Sequence, residues 1–242
     1  MRSKVVLIPT FNERESISKI LTQISTLDCD IIVIDDNSPD GTATFVKNLN
    51  RDNVSVLDHG KKRGIGPAYL AGFEIAIERG YERIATMDAD GSHQIEDLDR
   101  MFEVANNCDV VMGTRWISGG SVSNWPTYRR LLSRFGTWYA SKCLNLSYKD
   151  LTGGLRIYSR ESLKKLNLNS ISSNGYCFQI EMIRAFSFLS ANIQEVPIHF
   201  IERTQGRSKM SKNIIAEAFL RTSLWGFMRI LGYNADKLHY VK

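Results

Sequence analysis

Two carboxylates one residue apart, in Met87-Asp88-Ala89-Asp90-Gly91-Ser92-His93, are the residues of this sequence best suited to chemistry. They follow Ile84-Ala85-Thr86-Met87, a short apolar run that reads as a buried strand entering a polar turn. At the exposed end of such a strand, Asp88 and Asp90 can turn oxygens toward one hard divalent cation. Mg2+ and Mn2+ take one or two carboxylates together with substrate phosphate oxygens, and a cation held that way neutralises a diphosphate. A solvated acidic turn would carry the same residues, so the spacing alone leaves both readings open.

The chain on either side of this turn alternates strand and helix. Lys4–Ile8 reads as a strand, Asn12 and Glu15 have capping-box spacing, and Ile17, Ile20, Leu21 and Ile24 recur on one helical face. Ile31–Ile34 is a second apolar strand ending in Asp35-Asp36-Asn37-Ser38, and a helix from Thr42 to Leu49 follows the Pro39-Asp40-Gly41 turn. Val54–Leu57 is a third strand. Gly66-Pro67 opens a helix to Arg79, with proline in a tolerated first-turn position, and Asp109–Met112 is a further strand. Strands separated by amphipathic helices predict an α/β domain on a mostly parallel sheet with right-handed crossovers. Ligands of such sheets bind at the carboxyl ends of the strands. Here those ends are Pro9-Thr10-Phe11-Asn12-Glu13, Asp35-Asp36-Asn37-Ser38, Asp88-Ala89-Asp90 and Gly113-Thr114-Arg115, and all but the last carry carboxylates.

The 242 residues suffice for a full core, and 43% hydrophobic with 24% charged residues is the balance of an ordinary folded protein. Cys29, Cys108, Cys143 and Cys177 lie far apart, which fits reduced thiols and a cytoplasmic setting better than a disulfide frame or a zinc site. The apolar run after the N-terminus stops at Pro9, too soon for a signal peptide, and no stretch approaches the roughly 18 apolar residues of a membrane span. Net charge is +5, yet residues 1–113 are acidic on balance and the remainder strongly basic. An acidic half suits a cation site; a basic half suits phosphate or a membrane surface. Nucleic acid is not the expected partner, because the basic half has no zinc-finger or RNP-like pattern.

Taken in order, Pro9-Thr10-Phe11-Asn12-Glu13, Asp36-Asn37-Ser38-x-Asp40-Gly41-Thr42, Asp88-Ala89-Asp90-Gly91-Ser92-His93 and Gly113-Thr114-Arg115-Trp116 resemble the signatures of family 2 glycosyltransferases. More narrowly, Gly119-Gly120, Asn124-Trp125-Pro126 with Arg129, and Asp150-Leu151-Thr152-Gly153-Gly154-Leu155-Arg156 resemble the dolichol-phosphate (polyprenol-phosphate) mannose synthases. So do Gly175-Tyr176-Cys177-Phe178-Gln179-Ile180-Glu181, Glu195-Val196-Pro197-Ile198, and the run from Phe200 through Arg203, Gly206 and Lys209 to Ser211. The resemblance covers residues 4 to about 217.

It implies a GT-A (Rossmann-like) α/β fold and a site that can be laid over the chain. Pro9, Phe11, Glu13 and Asp36 would line the nucleotide pocket, with Glu13 near the ribose, Asp88 and Ala89 would complete it, and Asp90 would be catalytic. Asp88 and Asp90 would hold Mg2+ or Mn2+ on the donor diphosphate. The family often has glutamine where Ser92 stands and threonine or serine where Pro67 stands. Arg115 and Arg129 would grip a lipid phosphate, a task for which the guanidinium fork is suited. Arg203 and Lys209 would fold over the diphosphate and stabilise the leaving group. Gln179 and Glu181 would face the sugar, and His93 would support the site rather than act as a base. The implied reaction is inverting transfer of mannose from GDP-mannose to a dolichyl or polyprenyl monophosphate. Alternatives are a UDP-glucose:polyprenyl-phosphate glucosyltransferase and a non-catalytic nucleotide-sugar-binding subunit.

The C-terminal stretch predicts a division of labour between residues 1–212, the catalytic domain, and 213–242, an amphipathic helix and tail. Ile214, Ala218, Leu224, Trp225, Phe227, Met228 and Leu231 form a broad apolar surface interrupted by Glu217, Arg221 and Arg229. Those charges disfavour spanning, and Trp225 beside basic residues suits the interface, on the cytosolic face of a membrane. A helix packed on the sheet, or docked on a separate membrane-anchoring subunit, would show the same pattern.

Overall fold

The computed structural model describes residues 2–60, 64–202, 212–232 and 239–242, with the side chains of Lys212 and Asn213 outside the description. The first half winds as β1 (Lys4–Thr10), α1 (Arg14–Ile24), β2 (Asp30–Asp35), α2 (Thr42–Asn48), β3 (Val54–Asp58), α3 (Ile65–Glu78) and β4 (Arg83–Thr86). Then come α4 (Ile95–Val104), β5 (Val110–Thr114), β6 (Ser121–Ser123), α5 (Thr127–Leu144), β7 (Arg156–Ser159) and α6 (Arg160–Lys165). The chain continues with α7 (Gly175–Phe188), β8 (Ile193–Pro197), β9 (His199–Ile201) and α8 (Lys212–Ile230).

Seven strands form one sheet in the order β3-β2-β1-β4-β7-β5-β8, and β6 pairs with β9 in a small second sheet. The apolar runs that mark β1 and β2 alternate between two buried faces. Val5, Leu7, Ile32 and Ile34 join the core under α3 and α7, while Val6, Ile8, Ile31 and Val33 pack with α1 and α4. Burial on both faces is why these strands read as continuous apolar runs.

The sheet is mostly parallel, as the βα rhythm predicts, with one reversal. β7 runs antiparallel between β4 and β5. Its anchor is Arg156, 1% exposed, whose guanidinium donates to the carbonyls of Gln179 (2.6 Å) and Leu151 (2.9 Å). The reversal brings the loop before β7 to the edge where the parallel strands end. There Thr86 Oγ1 donates to the Gly154 carbonyl at 2.9 Å.

Two expectations, the capping box and the place of Trp225, need correction. The Asn12–Glu15 capping box does not form: Asn12 has φ 58°, in the left-handed region, and α1 begins after Glu13 without a side-chain cap. The apolar side chains of α5 do not all turn inward; Leu131, Phe135 and Trp138 are at least half exposed. Conversely Trp225, expected at an interface, is buried and packs against the Arg184 guanidinium, 5.0 Å from its ring centre. Gly226 allows this close seating of α8 on α5, since a Cβ there would stand 3.0 Å from that of Cys143. All four cysteines are free thiols, and burial pushes Cys29 up to about 12 and Cys177 up to about 11.

Candidate active site

The carboxyl ends of β1, β2 and β4 bring the acidic turns to one edge of the sheet. Asp35 shapes the second of these, accepting hydrogen bonds from Thr10 Oγ1 (2.7 Å), Ser38 N–H (2.8 Å) and Ser38 Oγ (2.6 Å). That leaves Asp36, the next residue, turned toward the end of β3. His59 Nδ1 lies 2.7 Å from its Oδ1, and the Gly64 N–H donates to Oδ2 at 3.3 Å. The Pro9–Glu13 segment is tied to the same turn: Asn12 N–H donates to Ser38 Oγ, Glu13 N–H to Thr42 Oγ1 and Arg14 N–H to Asp40. Pro9, Phe11 and Glu13 are all half-buried there, and Glu13 Oε2 accepts from Ser16 Oγ at 2.9 Å. Pro9, Phe11, Glu13 and Asp36 are therefore neighbours on one shallow edge.

At the end of β4, Ser92 N–H donates to Asp90 Oδ1 at 3.1 Å, closing the turn that carries both aspartates. Ala89 between them is buried. His93 Nε2 approaches Asp88 Oδ2 at 3.4 Å, and its ring meets Phe200 edge-on. Tyr69 lies beneath. Burial first, then the charges of Asp88 and Asp90, push its phenol well above the ordinary value. Across from Asp88 stands Gly154, where a Cβ would come within 3.2 Å of Oδ2. The residues suit a hard cation: two carboxylates on one turn, with the buried Ser92 hydroxyl lacking a hydrogen-bond partner among the described residues. No group of three His, Cys, Asp or Glu that could hold a metal occurs among those residues, so water and substrate oxygens would complete the shell.

Beside this edge a groove opens between α5 and α8 over the start of α7. Leu132, Tyr139, Ile180, Ile215 and Phe219 give it apolar walls, and Arg115 and Arg129 lie at its charged end with Ser133 and Thr152. Both arginines are already paired. Arg115, 5% exposed, donates from Nε (2.6 Å) and Nη2 (2.7 Å) to the two oxygens of Asp150, which also accepts the Arg115 N–H. Burial opposes the Arg115 charge, but Asp150 outweighs it and holds the guanidinium above its ordinary value. Arg129 stacks over Trp125 at 4.2 Å and pairs with Glu202.

Gln179 is buried on α7 with its side-chain oxygen lacking a partner among the described residues, whereas Glu181 does not face the site. Its carboxylate accepts the N–H groups of Ser172 (3.2 Å) and Ser173 (2.9 Å) and the hydroxyl of Tyr240 (2.8 Å). Arg203 and Lys209 lie outside the described residues. The sequence assigned no role to His59, Asp150 or Glu202. Asp150 and Glu202 do sit inside the motifs quoted for the resemblance, which was the available signal.

The model of glycosyl transferase family 2 matches residues 5–167, two-thirds of the chain. The chain belongs to that family. As a glycosyltransferase it is 41% identical to an undecaprenyl-phosphate mannosyltransferase of Micrococcus luteus, over 92% of this chain and 93% of the relative. It is 40% identical to a polyprenol monophosphomannose synthase of Mycolicibacterium smegmatis, over 92% and 86% respectively. Its fold is that of GT-A glycosyltransferases. Glucosyl-3-phosphoglycerate synthase of Mycobacterium tuberculosis, solved with Mn2+, UDP-glucose and phosphoglyceric acid, superposes with a TM-score of 0.68 at 16% identity, covering 96% of this chain and 80% of that one.

Proposed function

We propose that this glycosyltransferase moves mannose, with inversion, from GDP-mannose to a dolichyl or polyprenyl monophosphate. The observation that carries the reading is the groove. An apolar channel that ends in two arginines, next to an acidic strand edge, suits a prenyl chain with a phosphate head. The two mannosyl-transferring relatives support the sugar and the acceptor class.

Pro9, Phe11, Glu13, Asp36 and Ala89 would form the nucleotide side, with His59 holding the Asp36 carboxylate in place. Asp88 and Asp90 would hold Mg2+ or Mn2+; when bound, such a cation neutralises charge on the departing nucleotide. Arg129 and Ser133 would meet the acceptor phosphate, and Arg115, fixed by Asp150, would shape that end of the groove. A phosphate monoester has its second pKa near 6, so it reaches the anomeric carbon as a charged nucleophile and requires no general base. His93 would then orient Asp88 rather than remove a proton. Arg203, Lys209 and Gln179 keep the roles that the resemblance implies, the first two at the leaving diphosphate and the last at the sugar.

The acceptor lives in a bilayer, and one side of the molecule suits that setting. Tyr128, Leu131, Phe135 and Trp138 of α5 and Leu220, Leu224, Phe227 and Ile230 of α8 are all half exposed or more. Together they make an apolar face beside the groove, fringed by Arg130, Arg134 and Arg229. Among the described residues no helix is long and apolar enough to cross a membrane. The reading is therefore peripheral attachment at the cytosolic face, shared between α5 and residues 213–242, with or without a membrane subunit.

The test offers radiolabelled GDP-mannose and UDP-glucose in parallel with polyprenyl phosphate and extracts the lipid. Label from GDP-mannose in the lipid phase is expected. Label from UDP-glucose alone overturns the donor, and label from neither overturns the transfer.

A further inference from the structure

The two arginines of the groove are paired in different ways. The Asp150 side chain is 0% exposed and is held by the Arg115 guanidinium, the Arg115 N–H and Thr152 Oγ1. It has no route out. Glu202 is 26% exposed and follows β9, whose backbone is fixed independently: Ile201 N–H donates to the Ser92 carbonyl and Glu202 N–H to that of Ser123. Among the described residues its carboxylate bonds to Arg129 alone. It can swing into solvent while the strand stays in register.

We infer that Glu202 is a specificity-determining residue, an internal anion on Arg129 that a phosphate monoester displaces and weaker ligands do not. The inference rests on the acceptor reading above. A carboxylate carries one negative charge. So does a phosphodiester, and exchanging one for the other on Arg129 gains nothing. A monoester at neutral pH carries about 1.5 to 2 charges and three acceptor oxygens, so it wins the exchange. An uncharged lipid cannot compete at all. Glu202 thereby keeps the charged end of an apolar groove closed to the phosphodiester lipids that surround it in any bilayer, and opens it to the monoester. Arg129 stays within reach throughout, because its stacking on Trp125 does not depend on which anion it holds.

The experiment titrates full-length protein with a short-chain prenyl monophosphate, following the fluorescence of Trp125 and its neighbours, with and without a short-chain phosphatidylglycerol. Wild type should bind the monophosphate and ignore the phosphodiester. Glu202→Gln, which keeps the size but cannot pair as an anion, should bind the monophosphate roughly three- to fivefold more tightly, the scale of a partly exposed ion pair. It should also become open to competition by the phosphodiester. If wild type binds and Glu202→Gln binds no tighter, or gains no sensitivity to phosphatidylglycerol, the inference is overturned and the acceptor reading stands. If wild type fails to bind the monophosphate, the acceptor reading falls and takes the inference with it.

Discussion

The acidic edge and the arginine groove hold their charges by different means. On the edge, Asp90 is fixed within its own turn by Ser92 two residues on, and Asp35 partly so by Ser38, while Thr10 and His59 reach Asp35 and Asp36 from neighbouring strand ends. Asp88 and Asp90 stay partly exposed on their turn, whereas Asp35 and Asp36 are buried. In the groove each arginine finds its carboxylate across the fold, Arg115 to Asp150 over 35 residues and Arg129 to Glu202 over 73. The edge is built from turns at adjacent strand ends, while the groove exists only when helices and loops from separate segments have assembled. One region reads out as a pattern and the other as a consequence of packing.

Removing the charges of each region should separate them most sharply. Asp90→Ala, or chelation of wild type, should cut transfer by about a thousandfold, since a bound cation contributes several kcal/mol to a developing anion. Undiminished turnover in excess EDTA would remove the metal from the edge altogether. Asp150→Asn should instead act on folding. Breaking one half of a buried pair leaves Arg115 uncompensated, at a cost of about 3–5 kcal/mol, readable as a lowered midpoint in urea. A variant as stable as wild type would mean that the Arg115 pair is as exchangeable as its neighbour's.

Arg129→Ala is the intermediate case. The acceptor KM should rise roughly ten- to hundredfold, the worth of a charge-assisted hydrogen bond, while the donor KM stays put. Equal rises in both would erase the division into two regions. The smallest effect belongs to the apolar face. Leu220→Gln with Leu224→Gln should lower flotation with anionic liposomes by about tenfold, given the area the two leucines would bury. Turnover of a soluble short-chain acceptor should not change, and a matching loss there would show that these side chains serve the chemistry instead.

The contrast also explains what could be read before the structure. The strands β1 to β5 and the helices α1 to α3 were visible because apolar runs and helical spacing mark them, whereas α4 was not assigned although Ile95, Leu98, Met101 and Phe102 give it a buried face. The placing of Pro9, Asp36, Asp88 and Asp90 at strand ends was legible because each follows or closes an apolar run. β7 was not visible: a four-residue strand that begins with a buried arginine carries no apolar signature. Nor did the periodicity of α5 distinguish a core face from a face for lipid, because both repeat at the same spacing. Trp225 was misassigned for the same reason, since Leu224 and Phe227 beside it are exposed while it turns to Arg184. Asp150 and Glu202 had no spacing to announce them, as their partners lie far along the chain.

The reversed strand carries one more consequence, for recombination between relatives. β3, β2, β1 and β4 come from one unbroken stretch, residues 4–86, and β7, β5 and β8 from the stretch that follows. The two blocks of the main sheet touch along a single ladder, β4 against β7, with Thr86 and Asp88 facing Gly154 across it. A crossover within α4 would thus inherit the nucleotide edge from one parent and the groove from the other. The ladder and a glycine at position 154 must match for the hybrid to close, and so must the core between the halves, where Tyr69 stacks on Phe178 and Phe73 meets Tyr158.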